Sequence, residues 1–123
     1  MTRLPFQYVV LRCVPRVDRE EFLNVGVVLY SQPADYLACA GHVEERRLLS
    51  IAPELDLAAV RSALDGIAAV CAGSGPSALT GLGQRFGWLA APKSTMIQPG
   101  PIHGGLAEDP AAELAHLLEK LVR

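Results

Sequence analysis

Asn24-Val25-Gly26-Val27-Val28-Leu29-Tyr30-Ser31-Gln32-Pro33-Ala34-Asp35-Tyr36-Leu37-Ala38-Cys39-Ala40-Gly41-His42-Val43 decides the fold. Its first eight residues are rich in β-branched and aromatic side chains, which suit a pleated strand. Gln32 to Asp35 supply turn chemistry. A second strand runs from Tyr36 to Val43 and ends near Gly41 and His42. So short a link between two such runs implies an antiparallel hairpin. Upstream, Phe6 to Val14 forms another strand, stopped by Pro15. The segment from Pro15 to Glu21 is long enough for a further antiparallel connection. The expectation is a meander of at least three strands.

Alternation along these strands sorts two faces. Val9, Leu11 and Cys13 fall with Val25, Val27 and Leu29 and with Leu37, Cys39 and Val43 on an apolar core face. Tyr8, Val10 and Arg12 fall with Asn24, Gly26, Val28 and Tyr30 and with Tyr36, Ala38, Ala40 and His42 on a mixed one. All three tyrosines lie on the mixed face in this reading.

Downstream of the meander the periodicity changes. A short helix is expected over Glu44 to Ser50, ending before Pro53. Leu57, Val60, Leu64, Ile67, Ala68 and Cys71 recur at helical spacing behind Asp56, a natural N-cap. Gly73 and the pair Gly75-Pro76 close that helix. At the end of the chain, Asp109 caps, Pro110 takes the first helical position, and Leu114, Leu117, Leu118, Leu121 and Val122 form a stripe. Two amphipathic helices on one face of an antiparallel sheet make an α+β domain.

Between these helices, residues 85 to 105 hold the only tryptophan, Trp88, with Arg85, Lys93, Ser94, Thr95 and His103. Glycine and proline punctuate the stretch, so it is expected as a long ordered loop pinned by Trp88 and Ile97. Lys93-Ser94-Thr95 superficially echoes a phosphate-binding loop, but Pro92 offers no N–H where that motif needs one. A looser anion site remains open, built from Arg85, Lys93, Ser94 and Thr95, with Arg12 brought alongside. His103, followed by two glycines, is the candidate for proton transfer. The alternative for each is structural: solvated cations and a turn histidine. No catalytic residue is assigned on these grounds.

Composition bounds the rest. At 123 residues the chain is expected to form one domain over 1–123. Half of the residues are hydrophobic and 20% are charged, which suggests apolar surface covered by a second subunit or another protein. A net charge of −2 gives no push toward nucleic acid or an anionic membrane. No leader-like segment and no apolar run of about 18 residues is read. Cys13, Cys39 and Cys71 are scattered, as expected of reduced thiols in a cytoplasmic protein. The three histidines are not at ligand spacing, so no metal or other cofactor is expected.

The chain resembles a family of short bacterial proteins catalogued as domain of unknown function 3037. The resemblance rests on Tyr8-Val9-Val10-Leu11-Arg12 with Arg19 to Tyr30, and on Arg85 to Thr95 running on to His103 and Gly105. Its motif positions fall on Arg12, Glu21, Asn24, Gly26, Arg85, Trp88, Pro92, Ser94 and His103. No catalytic role comes with them, and Glu21, Asn24, Gly26, Trp88 and Pro92 stand as structural positions. Relatives are often encoded beside a protein similar to the HipA-type kinases, which implies a protein partner. The resulting expectation is a non-enzymatic accessory or interaction module, oligomeric or bound to a second protein. The alternative is an anion- or nucleotide-binding protein or an enzyme acting on a phosphorylated substrate.

Overall fold

The computed structural model describes residues 2–75 and 79–123. Pro76, part of the expected break after the second helix, lies outside them. Strands β1 (Leu4–Cys13), β2 (Leu23–Ser31) and β3 (Tyr36–Gly41) form the expected antiparallel meander. A 3-10 turn at Val17–Arg19 helps to link the first two. Helices α1 (Glu45–Ile51), α2 (Leu57–Cys71) and α3 (Leu82–Ala90) follow, then β4 (Ile97–Pro99), β5 (His103–Ala107) and α4 (Pro110–Leu121). The spatial order is β3-β2-β1, with β4 and β5 pairing antiparallel with successive parts of the far edge of β1. The fold is α+β.

The caps that the sequence announced are in place. The Asp56 carboxylate accepts from the Ala59 N–H at 3.1 Å, and that of Asp109 from Ala111 and Ala112 at 3.0 and 3.3 Å. Each satisfies donors that the first helical turn leaves unpaired.

Face assignment is where the sequence reading departs from the structure. Leu11 pairs with Gly26 but Arg12 pairs with Asn24, so Val25 is an extra residue, a β-bulge. Beyond it the alternation of β2 is inverted relative to β1. Val25 packs with Leu11 and Cys13 as expected, but Val28 and Tyr30 join them, while Val27 and Leu29 turn to the opposite face. Tyr30 therefore leaves Tyr8 and Tyr36 and stacks on Phe86 of α3, ring centroids 5.3 Å apart.

Both faces are consequently apolar, and both are covered. On one side α1, α2 and α3 contribute Leu48, Val60, Leu64, Phe86 and Leu89 to a core with Val9, Leu11 and Val28. On the other, Leu114, Leu117 and Val122 pack with Phe6, Val27 and Leu29. The two long helices thus sit on opposite faces of the sheet, not on one as the strand alternation implied.

The segment from 85 to 105 is ordered, but it is not a single loop. It begins inside α3 and ends as an interrupted edge strand. Gly83 and Gly87 weaken the helical signal. Gly83 is explained by its neighbour, because a Cβ there would stand 3.1 Å from the Tyr30 hydroxyl. Ile97 is buried as expected, whereas Trp88 is 43% exposed and lies outside the core.

Gly26 marks the tightest point of the meander. A Cβ there would lie 2.9 Å from the Ala40 carbonyl oxygen and 3.2 Å from Leu11. Neither the paired backbone nor a fully buried leucine has room to retreat. Gly26→Ala is expected to destabilise the protein by about 1–3 kcal/mol through overpacking. Urea unfolding followed by circular dichroism measures this; a loss below about 0.5 kcal/mol contradicts it.

Candidate functional site

The cations proposed for an anion site are placed by helix ends. Arg85 lies on α3 and donates Nη1 to the carbonyls of Cys71 (3.1 Å) and Val70 (3.5 Å), at the C-terminus of α2. Val70 O also accepts the Gly73 N–H at 3.1 Å, so Arg85 adds a donor to the carbonyls of the last turn, and a cation there meets the negative end of the helix dipole. Its Nε is buried without a partner among the described residues. Lys93 does the same for α3. Its ammonium donates to Trp88 O and to Ala91 O (3.1 Å), and lies 4.8 Å from the Trp88 ring centroid. Burial lowers its pKa from the ordinary 10.5. Thr95 turns its hydroxyl to the Ile97 carbonyl at 2.8 Å, and Ser94 and Pro92 are exposed.

Arg12 is on the other side of the sheet. Its register partner Asn24 shares that face and donates Nδ2 to Leu121 O at 3.1 Å, closing the end of α4. His103, paired with Tyr8, also faces this way, and the two rings stack at 5.3 Å. Tyr8 and Arg12 are four residues apart on β1, which is about 13 Å along a strand. The structure therefore aligns His103 and Arg12 on one face without bringing them together, and keeps Arg85 and Lys93 away from both.

What surrounds Arg12 is informative. Its Cζ lies 4.4 Å from the Phe22 ring centroid, a cation–π arrangement. A Cβ on Gly100 would be 3.2–3.3 Å from Nη2, Cζ and Nε, so the glycine makes room for the guanidinium. Gly100 is held there by its N–H to the Val10 carbonyl at 2.8 Å. Glu21, the nearest motif carboxylate in sequence, pairs with Arg19 at 2.5 Å and not with Arg12. No acceptor engages the Arg12 guanidinium among the described residues. A hollow of about 230 Å³ beside it is lined by Arg12, Val14, Val17, Glu20, Phe22 and Gln98.

Beside this hollow, and farther along the β4–β5 edge, lie side chains that folding leaves uncovered. Val17 is 53% exposed, Phe22 43%, and Ile102, just beyond Gly100, 52%. With Tyr8, Arg12 and His103 they make a strip along β1 and its β4–β5 edge. Sequence reasoning missed Phe22, Val17 and Gly100. The signal for Phe22 was present, an aromatic residue in an otherwise charged connection, but its meeting with Arg12 depends on the register across the bulge. A larger cleft of about 740 Å³ separates Pro15–Glu21 from Ser50–Asp56. Its arginines are engaged within their own loop, Arg16 with Asp18 at 3.0 Å and Arg19 with Glu21.

Cys13, Cys39 and Cys71 are free. Burial pushes the Cys39 thiol from the ordinary 9.0 up to about 12, reinforced by nearby Cys71, and pushes Cys71 up to about 11 although Arg85 opposes it. Among the described residues no group of three His, Cys, Asp or Glu is positioned to hold a metal, and no helix is long and apolar enough to cross a membrane.

The family described as "Protein of unknown function (DUF3037)" matches residues 8–122, nearly the whole chain, and the chain belongs to it. No curated protein and no solved structure matches the chain.

The thiol shifts give a pH dependence. Unfolded thiols ionise near 9.0, whereas folded Cys39 and Cys71 hold their protons to about 12 and 11. Above pH 9 the folded state binds more protons than the unfolded one, so stability falls as pH rises. Their contribution is constant below pH 9 and is lost progressively between pH 9 and 12. Native Cys39 is expected to react with iodoacetamide at pH 8 roughly a thousandfold more slowly than a free thiol. Labelling at the free-thiol rate, read by peptide mass spectrometry, contradicts this.

Proposed function

We propose that this member of the family is a non-enzymatic accessory module that recognises a partner protein through the strip from Val17, Phe22 and Arg12 to Ile102 and His103. The observation that carries the reading is the setting of Arg12. It is the motif cation held in a defined pose, against Phe22 and over Gly100, with no acceptor among the described residues. Arginine with aromatic neighbours is the chemistry that anchors protein interfaces. Arg85 and Lys93, which an enzyme acting on a phosphorylated substrate would need beside it, hold helix ends instead. The same unpaired guanidinium supports a second reading, in which it takes the phosphate of a nucleotide or other small anion.

A kinase of the HipA type, the partner that the family resemblance suggests, is the first to test. Calorimetry of that kinase with this chain is expected to give saturable binding. Arg12→Ala and Phe22→Ala are each expected to weaken it by more than about tenfold, or roughly 1.4 kcal/mol. Binding that both variants leave unchanged removes the strip as the interface. Binding of ATP by the isolated chain, abolished by Arg12→Ala, favours the anion reading instead.

A further inference from the structure

The opposite edge of the sheet has a different character. The β4–β5 edge is guarded, since Pro99 and Pro101 lack donors and pairing with β1 stops between Gly100 and Ile102. β3 has no such device. Its six residues, Tyr36-Leu37-Ala38-Cys39-Ala40-Gly41, carry no charge and no proline, and all of them pair in unbroken register with β2.

Register identifies which backbone groups of β3 are left over. His42 N–H donates to the Val25 carbonyl at 2.8 Å, next to the Gly26–Gly41 pair. Hydrogen-bonded and open positions alternate in an antiparallel ladder. Ala40, Ala38 and Tyr36 therefore turn their N–H and C=O groups toward β2. Leu37, Cys39 and Gly41 turn theirs outward, away from the sheet.

We propose that β3 pairs with β3 of a second copy of this chain, antiparallel about a two-fold axis at Cys39. Three observations select that occupant and that register. A two-fold at Cys39 is the symmetric register that uses every outward group, matching Leu37 with Gly41 of the second copy, Cys39 with Cys39, and Gly41 with Leu37. It also sets large against small. Directly opposed residues bring their Cβ positions to about 5 Å, and Leu37 of the second copy meets a residue with no side chain. Finally, a groove of about 480 Å³ lies there to receive it, with Cys39, Gly41, Leu64 and Ala68 as its apolar wall and His42, Arg61 and Asp65 at its polar rim. Leu37 is itself a half-buried apolar side chain, so the pairing covers it. Facing α4, Ala38 lies opposite Ala40 of the second copy, small against small. The two sheets then become one continuous sheet, with the Arg12 strip of each copy on the far edge and free. The dimer does not depend on the function proposed for that strip.

The test uses the whole chain under reducing conditions. Sedimentation equilibrium is expected to give twice the chain mass of 13.1 kDa. Residue-resolved amide exchange then locates the contact. In a dimer through β3 the amides of Leu37, Cys39 and Gly41 are as protected as those of Ala38 and Ala40. In a monomer they exchange faster, on the order of tenfold or more. Leu37→Pro removes the side chain that fills the groove and an outward N–H that the single chain does not use, and is expected to return the protein to a single-chain mass with unchanged circular dichroism, while Arg12→Ala leaves the dimer intact. A single-chain mass for the unmodified protein overturns the proposal. So does a dimer in which Leu37, Cys39 and Gly41 still exchange freely, or one that survives Leu37→Pro.

Discussion

Strand β2 is sealed from solvent on both sides, and the rest of the molecule is arranged to keep it so. Val25, Val27, Val28 and Leu29 are each 1% exposed or less. Consecutive residues of a strand face opposite ways, so a single layer of helices leaves half of them in water. Each such side chain contributes about 1.5–3 kcal/mol when buried. The chain meets this by splitting its helices, α1 to α3 on one face and α4 on the other. The bulge at Val25 sets which residues go where. Without it Val27 and Leu29 would fall beside Val9 and Leu11, and Val28 and Tyr30 would face α4 in their place.

Much of the polar chemistry that looks functional serves this arrangement. Arg85 and Asn24 close the C-terminal ends of α2 and α4, and Lys93 that of α3. Several glycines act as spacers between layers. Gly105 lies under the Phe6 ring, where a Cβ would come within 2.8 Å of it, and Gly26 lets β3 approach β2 and Leu11. Taking these positions away leaves Arg12 as a motif residue set against Phe22 and Gly100 with no hydrogen-bond acceptor among the described residues, and that contrast gives the strip its weight.

The two edges of the sheet divide the surface into separate opportunities. Breaks and prolines keep the β4–β5 edge from pairing with another strand, and side chains dominate there: Tyr8, His103, Arg12 and Phe22. Backbone dominates at β3, where small uncharged residues leave hydrogen-bonding groups accessible. Recognition of a partner by side chains and assembly by backbone therefore need not compete for one surface.

The sequence by itself determined the strands of the meander, the caps of α2 and α4, the α+β class and the burial of Ile97, because those depend on local periodicity and on residues a few positions apart. It also carried an unused sign of the second helical layer. Val25 to Tyr30 is a continuous apolar run, as expected of a strand buried on both faces. The helical character of α3 was masked by Gly83 and Gly87, and the reason for Gly83 is Tyr30, distant in the chain. Which face each side chain took, and which cation met which acceptor, only the tertiary structure decided. A single extra residue at Val25 inverts the alternation that follows, and no local signal announces it. The partners of Arg85, Lys93 and Arg12 are likewise fixed by how helices and edge strands dock, so composition offered three similar cations where the fold made two helix caps and a guanidinium that, among the described residues, meets an aromatic ring and no acceptor.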